Sequence, residues 1–160
     1  MARISDLKLV YQFFLRAYPY RTVDWSPGAR FQKPLSAARV AVVTTAALFR
    51  PDQLPFDVSQ RGGDCSYRII PADTDLSSLR MGHRSDAFDG SGVSADANLA
   101  LPLERLNGLA ELGVIGSVAP RHLSFMGSIA APGRLIAHTA PEAARLLLED
   151  AVDAVLLTPM

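Results

Sequence analysis

Apolar residues along this chain fall into runs of two kinds, some with helical spacing and some nearly continuous. Ile4, Leu7, Val10, Phe13, Phe14 and Ala17 recur at the period of one helix face, so the pattern predicts an amphipathic helix over residues 6–17. Ser5 or Asp6 is available as its cap and Pro19 as its stop. Arg39 to Thr44 reads RVAVVT, a short β-branched run suited to a strand covered on both faces. Val114 to Val118 and Ala154 to Thr158 have the same make-up, and Ser66 to Ile70 predicts one more strand. Between them, Leu103, Leu106, Leu109, Ala110 and Leu112 form a helix face that opens at Pro102 and stops at Gly113. Thr139, Ala140, Pro141 and Glu142 read as a capping box, in which hydroxyl and carboxylate satisfy the free amides of a helix over residues 143–149.

Strand, helix, strand, helix, strand is the order of an α/β domain with a mostly parallel sheet, a flavodoxin- or Rossmann-like three-layer arrangement. Right-handed crossovers then make Val114–Val118 and Ala154–Thr158 neighbours in the sheet. Residues 18–34, with Pro19, Pro27, Gly28 and Pro34 among scattered aromatics, favour an extended arm. The expected organisation is an N-terminal helix and arm over 1–34 and an α/β domain over 35–160. Residues 46–71, apart from the strand over 66–70, and residues 73–96 are irregular, and long irregular stretches in compact domains are commonly functional or mobile.

Composition narrows the partners. Sixteen basic residues balance sixteen acidic ones, so there is no electrostatic footprint for nucleic acid. The apolar run Val10 to Leu15 is interrupted by Tyr11 and Gln12, too short for a membrane span and unlike a signal-peptide core. A lone Cys65 excludes a disulfide framework or a Cys-x-x-Cys pair within this chain, and a reducing cytoplasm is the expected setting.

Ligands of open α/β sheets sit beyond the carboxyl ends of the strands. That rule brings Thr44 and Thr45, residues 120–127 and residues 158–160 to one edge. The stretch VIGSVAPRHLSFMG, Val114 to Gly127, then stands out, because Arg121, His122, Ser124, Phe125 and Met126 gather more chemistry than a connector needs. Other groupings are thinner. His83, Asp86 and Asp89 with His122 form a weak metal-ligating set. RGGDCSYR offers Gly62 and Gly63 with Arg61, Asp64, Ser66 and Arg68 as an anion site, but a turn with a local Asp–Arg pair is the commoner use of such a pattern. Cys65 lies between Arg61 and Arg68, which favour a thiolate, but beside Asp64, which opposes it. No GxGxxG, GxxxxGK or GxSxG pattern is present, and no cofactor is expected.

Five segments, in order, carry a family resemblance: RVAVVTTAALF with PFD at Pro55 to Asp57, GGDCSYRIIPADT, HRSDAFD, NLALPLERLNGLAELGVIGSVAPRHLSFMGSI and TAPEAARLLLEDAVDAVLLTP. They cover most of Arg39 to Met160, and together they resemble the selenoprotein B family of glycine, betaine, sarcosine and D-proline reductases. The resemblance implies an α/β subunit of a reductase in which a selenol or thiol attacks the substrate and a dithiol donor resets it. It also implies that the selenocysteine or cysteine would follow the strand that reads AVLLTP, a position that Cys65 does not occupy and where Met160 has no ionisable thiol. Either a shortened relative that keeps scaffold and pocket, or a chain whose catalytic portion lies elsewhere, is expected.

On this reading a small amino acid or N-methylated derivative binds at the carboxyl edge. Arg121 or Arg68 would pair its carboxylate, Thr44, Thr45 and Ser124 would supply hydrogen bonds, Met126 would line the site and His122 would act as acid or base. The nucleophile would come from a partner reductase subunit or from Cys65. Two rival readings are a non-catalytic assembly protein, docking a partner or a second copy through the Phe13 and Phe14 helix and the arm, and a metal-dependent hydrolase built on His83, Asp86, Asp89 and His122.

Overall fold

The computed structural model of the protein describes residues 8–18, 28–83 and 89–160, and the chain divides into two compact units, 1–30 and 31–160. In the first unit, helix α1 spans Leu9–Ala17, with the rings of Phe14 and Tyr18 5.4 Å apart. The expected cap at Ser5 or Asp6, the stop at Pro19 and most of the arm fall outside the described residues.

The second unit is an α/β domain. Its central strand is β1 (Arg39–Thr44), and its β-branched sequence is buried at Val40, Ala41, Val42 and Thr44, as a strand covered on both faces must be. The chain continues through β2 (Leu48–Phe49), β3 (Tyr67–Pro71), β4 (Arg80–Met81), α2 (Ser91–Ala95), α3 (Leu103–Glu111), β5 (Ser117–Val118), β6 (Arg121–Phe125), α4 (Ala140–Glu149) and β7 (Ala154–Thr158). β7 runs parallel along one side of β1, from Val40↔Ala154 to Thr44↔Thr158. On the other side β5 pairs with the first half of β1 and β6 with the second, both parallel, and β3 lies antiparallel outside β6. β2 and β4 form a separate antiparallel ribbon.

Two expectations change here. Val114–Val118 and Ala154–Thr158 are not neighbours, because β1 lies between them. Nor does the strand begin at Val114: residues 114–116 turn off α3, and the strand starts at Ser117 and resumes as β6. The interruption is at Ala119 and Pro120, where proline has no amide to give the ladder. The side chain of His122 mends the gap, its Nδ1 accepting the Val42 amide at 3.0 Å.

Each face of the sheet has its own apolar layer. One joins Val40, Val42 and Ile70 to Leu101, Leu103, Leu106 and Ile115 of the α3 side, and the other joins Leu123 and Phe125 to Ala143, Leu146 and Leu147 of α4. The capping box does not form. A π-helical turn over Leu135–Thr139 runs straight into α4, so Thr139 has helical backbone angles and its hydroxyl instead donates to the Cys65 carbonyl at 2.7 Å. The two sheet edges differ. β3 is covered, with Gln53 donating to the Ile69 carbonyl and Arg68 reaching the Leu54 and Pro55 carbonyls, whereas β7 exposes Val155, Leu156 and Leu157.

Candidate functional site

Three adjacent strands end at a hollow of about 410 Å³ lined by Thr45, Phe125, Met126, Gly127, Ser128, Ile129, Leu135, Ala140 and Met160. It occupies the carboxyl edge of the sheet, where open α/β folds bind ligands. The larger hollow, about 560 Å³ between residues 76–81 and 93–98, contains none of the residues expected to act.

The edge is laced together by Thr45. Its hydroxyl donates to the Met160 backbone oxygen at 3.4 Å and accepts the Met160 amide at 2.9 Å, while its own amide bonds the Thr158 carbonyl. Gly127 is closely packed at this point. A Cβ there would lie 2.6 Å from His83 Nε2, 3.1 Å from the Met160 oxygen and 3.2 Å from the Thr45 oxygen. His83, expected only as a metal candidate, is thereby packed beneath the turn that ends β6.

The loop after β6 is braced from below by the RGGDC turn. Gly62 and Gly63 adopt positive φ, and a Cβ on either would strike Ala131 or Ile129. Asp64 organises that turn, accepting the amides of Asp57 and Ser66 and the Ser66 hydroxyl. Burial pushes its carboxyl pKa up, but those hydrogen bonds and Arg68 outweigh it and hold it below the usual value. The turn therefore satisfies its own anion and leaves no anion site open. Cys65 is buried, with Sγ 3.8 Å from the Gly63 carbonyl and 3.9 Å from that of Ala131.

Of the expected site residues, Thr45 and Met126 line the hollow. Thr44 and Ser124 face each other across β1 and β6, both fully buried; Thr44 donates to the Thr158 carbonyl, and the Ser124 hydroxyl has no partner. His122 is also fully buried, and desolvation lowers its pKa to about 4 against the opposing pull of the Ala119 carbonyl and Asp150.

Arg121 stands at the amino end of β6, away from the carboxyl edge, and grips Asp150 through two bonds of 2.7 Å. That grip holds the Asp150 carboxyl below its usual range, although desolvation opposes it. Arg68 lines a different hollow, beside Gln53, Tyr67 and Glu142, with its guanidinium 4.2 Å from the Phe56 ring centre. Asp86 lies outside the described residues, and among the described residues no three His, Cys, Asp or Glu side chains converge on a metal position. Ser128, Ile129, Leu135 and Ala140 were not legible as site residues. Their only signal was position, just past the glycine that closes the polar stretch.

The fold is that of an α/β protein with a mostly parallel sheet, and the hollow lies at the sheet's carboxyl edge. The family is more specific than that: residues 7–160 match the model of glycine/sarcosine/betaine reductase selenoprotein B, and the chain belongs to that family. It is 34% identical over 134 residues to D-proline reductase subunit gamma of Acetoanaerobium sticklandii, covering 84% of this chain and 52% of the relative. It is 30% identical over 158 residues to sarcosine reductase complex component B subunit beta of Peptoclostridium acidaminophilum, covering 94% of this chain and 34% of the relative. The chain thus spans about half the length of the first and a third of the second. No solved structure matches it. Among the described residues, no helix is long and apolar enough to cross a membrane.

Proposed function

We propose that this chain is the substrate-facing α/β unit of a reductase of the glycine, sarcosine, betaine or D-proline type, working in the cytoplasm with partner subunits. It binds a small amino acid or N-methylated derivative in the hollow at the carboxyl edge, and the reducing selenol or thiol reaches that hollow from outside the described residues. The observation that carries this reading is the coincidence of two independent indications: the family match runs through all the strands, and the hollow opens where parallel sheets place ligands. Cys65 and His122 are buried and do not line that hollow, so this reading takes the nucleophile from elsewhere. The imidazole of His83 packs against Gly127, which lines the hollow.

Titrating the ¹⁵N-labelled chain with glycine, sarcosine, betaine and D-proline tests the reading. At least one should move the amides of Gly127, Ser128 and Ile129 selectively, and silence from all four would overturn it. The exposed β7 edge gives some support to the rival reading of a pure assembly unit, which predicts that silence.

A further inference from the structure

Strand β7 has the sequence of an interior strand and the position of an edge strand. Ala154 to Thr158 reads AVLLT, the near-continuous apolar run that parallel sheets bury on both faces. Edge strands ordinarily carry a charge, a proline or a bulge that discourages further pairing, and none of these five residues is charged or proline. Among the described residues β7 nevertheless pairs with β1 alone. Its faces are as open as its edge. Side chains alternate along a strand, so Val155 and Leu157 share one face and Leu156 lies on the other. Leu157 stands in register with Val43, which places it on the α4 side of the sheet. The apolar layer on that side runs from Tyr67 and Ile69 through Leu123 and Phe125 to Val43, and takes in no residue of β7. The layer on the α3 side reaches Ala154 and goes no further along β7. Val155, Leu156 and Leu157 are left exposed.

We infer that β7 is the docking strand for a partner subunit of the reductase, which adds a strand parallel to β7 and lays its crossover helix over Val155 and Leu157. The inference rests on the functional reading above, in which the chain works with partner subunits. Two observations choose this occupant over a second copy. Edge-to-edge pairing of two copies joins their backbones but brings no helix over Val155 and Leu157, because the α4 of each copy packs over its own β6 and β3. The family, by contrast, holds further chain in a sufficient amount. About half of the D-proline reductase subunit and about two-thirds of the sarcosine reductase subunit lie outside the stretch matched here, and a strand with its crossover takes only about 30 residues. A strand added parallel to β7 also ends beside residues 158–160, of which Met160 lines the hollow.

The chain's single cysteine, Cys65, is buried, so a thiol introduced at the surface can be labelled by itself. The test labels Leu157→Cys with a benzophenone maleimide and irradiates it in an extract of the host cells. Leu112→Cys, at the end of α3 and just as exposed, is the control. Leu157→Cys should form an adduct with another chain of this reductase family, through peptides outside the stretch matched here, at about ten times the yield of the control. An adduct with a second copy of this chain, with an unrelated protein or with nothing, or equal yields at the two positions, would overturn the inference. Adding Val155→Lys to Leu157→Cys puts a charge under the partner's helix and should cut the yield about tenfold, and an unchanged yield would likewise overturn it. If the amides of Gly127, Ser128 and Ile129 respond to a ligand but no family adduct forms, this inference falls and the functional reading stands. A family adduct without any ligand response overturns the binding reading and keeps the docking strand.

Discussion

His122 makes the sharpest test of how this sheet is built. Its Nδ1 accepts the Val42 amide, so the proton of the neutral ring sits on Nε2, and a second proton cannot be added without breaking the bond to Val42. Folding lowers the imidazole pKa from 6.5 to about 4, chiefly through desolvation. A lowered pKa means that the unfolded chain binds the proton more readily. The stabilisation is therefore fully present above about pH 6.5 and lost as pH falls towards 4. The two values imply a loss of about 2 to 3 kcal/mol between pH 7.5 and pH 4.5, a large fraction of an ordinary domain's stability.

The assay is urea unfolding followed by far-ultraviolet circular dichroism at both pH values, in the wild type and in two variants. His122→Asn keeps an acceptor near the Nδ1 position but does not titrate. It should cost about 1 to 2 kcal/mol at pH 7.5 through lost ring volume. His122→Leu fills the space but strands the buried Val42 amide, at about 1 to 3 kcal/mol for the unmet donor. Asp64, held low by its hydrogen bonds, is common to all three proteins and cancels in the difference curves, whereas Asp150 interacts with His122 and contributes with it. Both variants should close much of the gap to the wild type at pH 4.5. A wild-type-to-variant difference that does not change with pH would refute the lowered pKa, and His122→Leu more stable than His122→Asn at pH 7.5 would refute the ladder role.

Four further outcomes are expected. Gly127→Ala should cost about 1 to 3 kcal/mol in thermal or urea unfolding, because its Cβ meets His83 and two backbone oxygens, and should weaken any ligand response at Ser128 and Ile129. Asp150→Asn replaces a carboxylate gripped twice by Arg121 and should destabilise by about 1 to 3 kcal/mol, with the cost shrinking below pH 4 as the wild-type carboxyl itself protonates. Arg68→Lys should not preserve stability, since an ammonium cannot span the Leu54 and Pro55 carbonyls while stacking on Phe56; hydrogen exchange should quicken at residues 54–57. Leu157→Lys, on an edge strand where the leucine is 68% exposed, should change stability by no more than about 0.5 kcal/mol and reduce concentration-dependent light scattering.

Much of the scaffold was legible because it follows from period and composition. RVAVVT and AVLLT both read as strands, and their bounds hold to the residue at Arg39–Thr44 and Ala154–Thr158, but only the first is covered on both faces, since β7 leaves Val155, Leu156 and Leu157 exposed. Where the structure engages a residue that its local sequence offered for another role, one physical cause recurs. Backbone groups may be satisfied by side chains distant in sequence, and such bonds leave no local pattern. Thr139 scores as a cap locally, but the Cys65 carbonyl claims its hydroxyl, so the helix winds past it. His122 scores as acid or base, but Val42 claims its Nδ1 across the break that Pro120 makes in the strand. Arg68 and Arg121 score as carboxylate binders, but neighbouring loops and a helix end already bind them.

A polar residue that the fold must have for its own closure looks, in one dimension, the same as one held in readiness for a ligand. Three dimensions separate them by asking which polar atoms are already engaged. By that measure Arg121 and the Nδ1 of His122 are already engaged by the fold, whereas the buried Ser124 hydroxyl is not. The relatives are longer than this chain, and the edge lined by Thr45, Gly127 and Ser128 is where a search for a bound molecule begins.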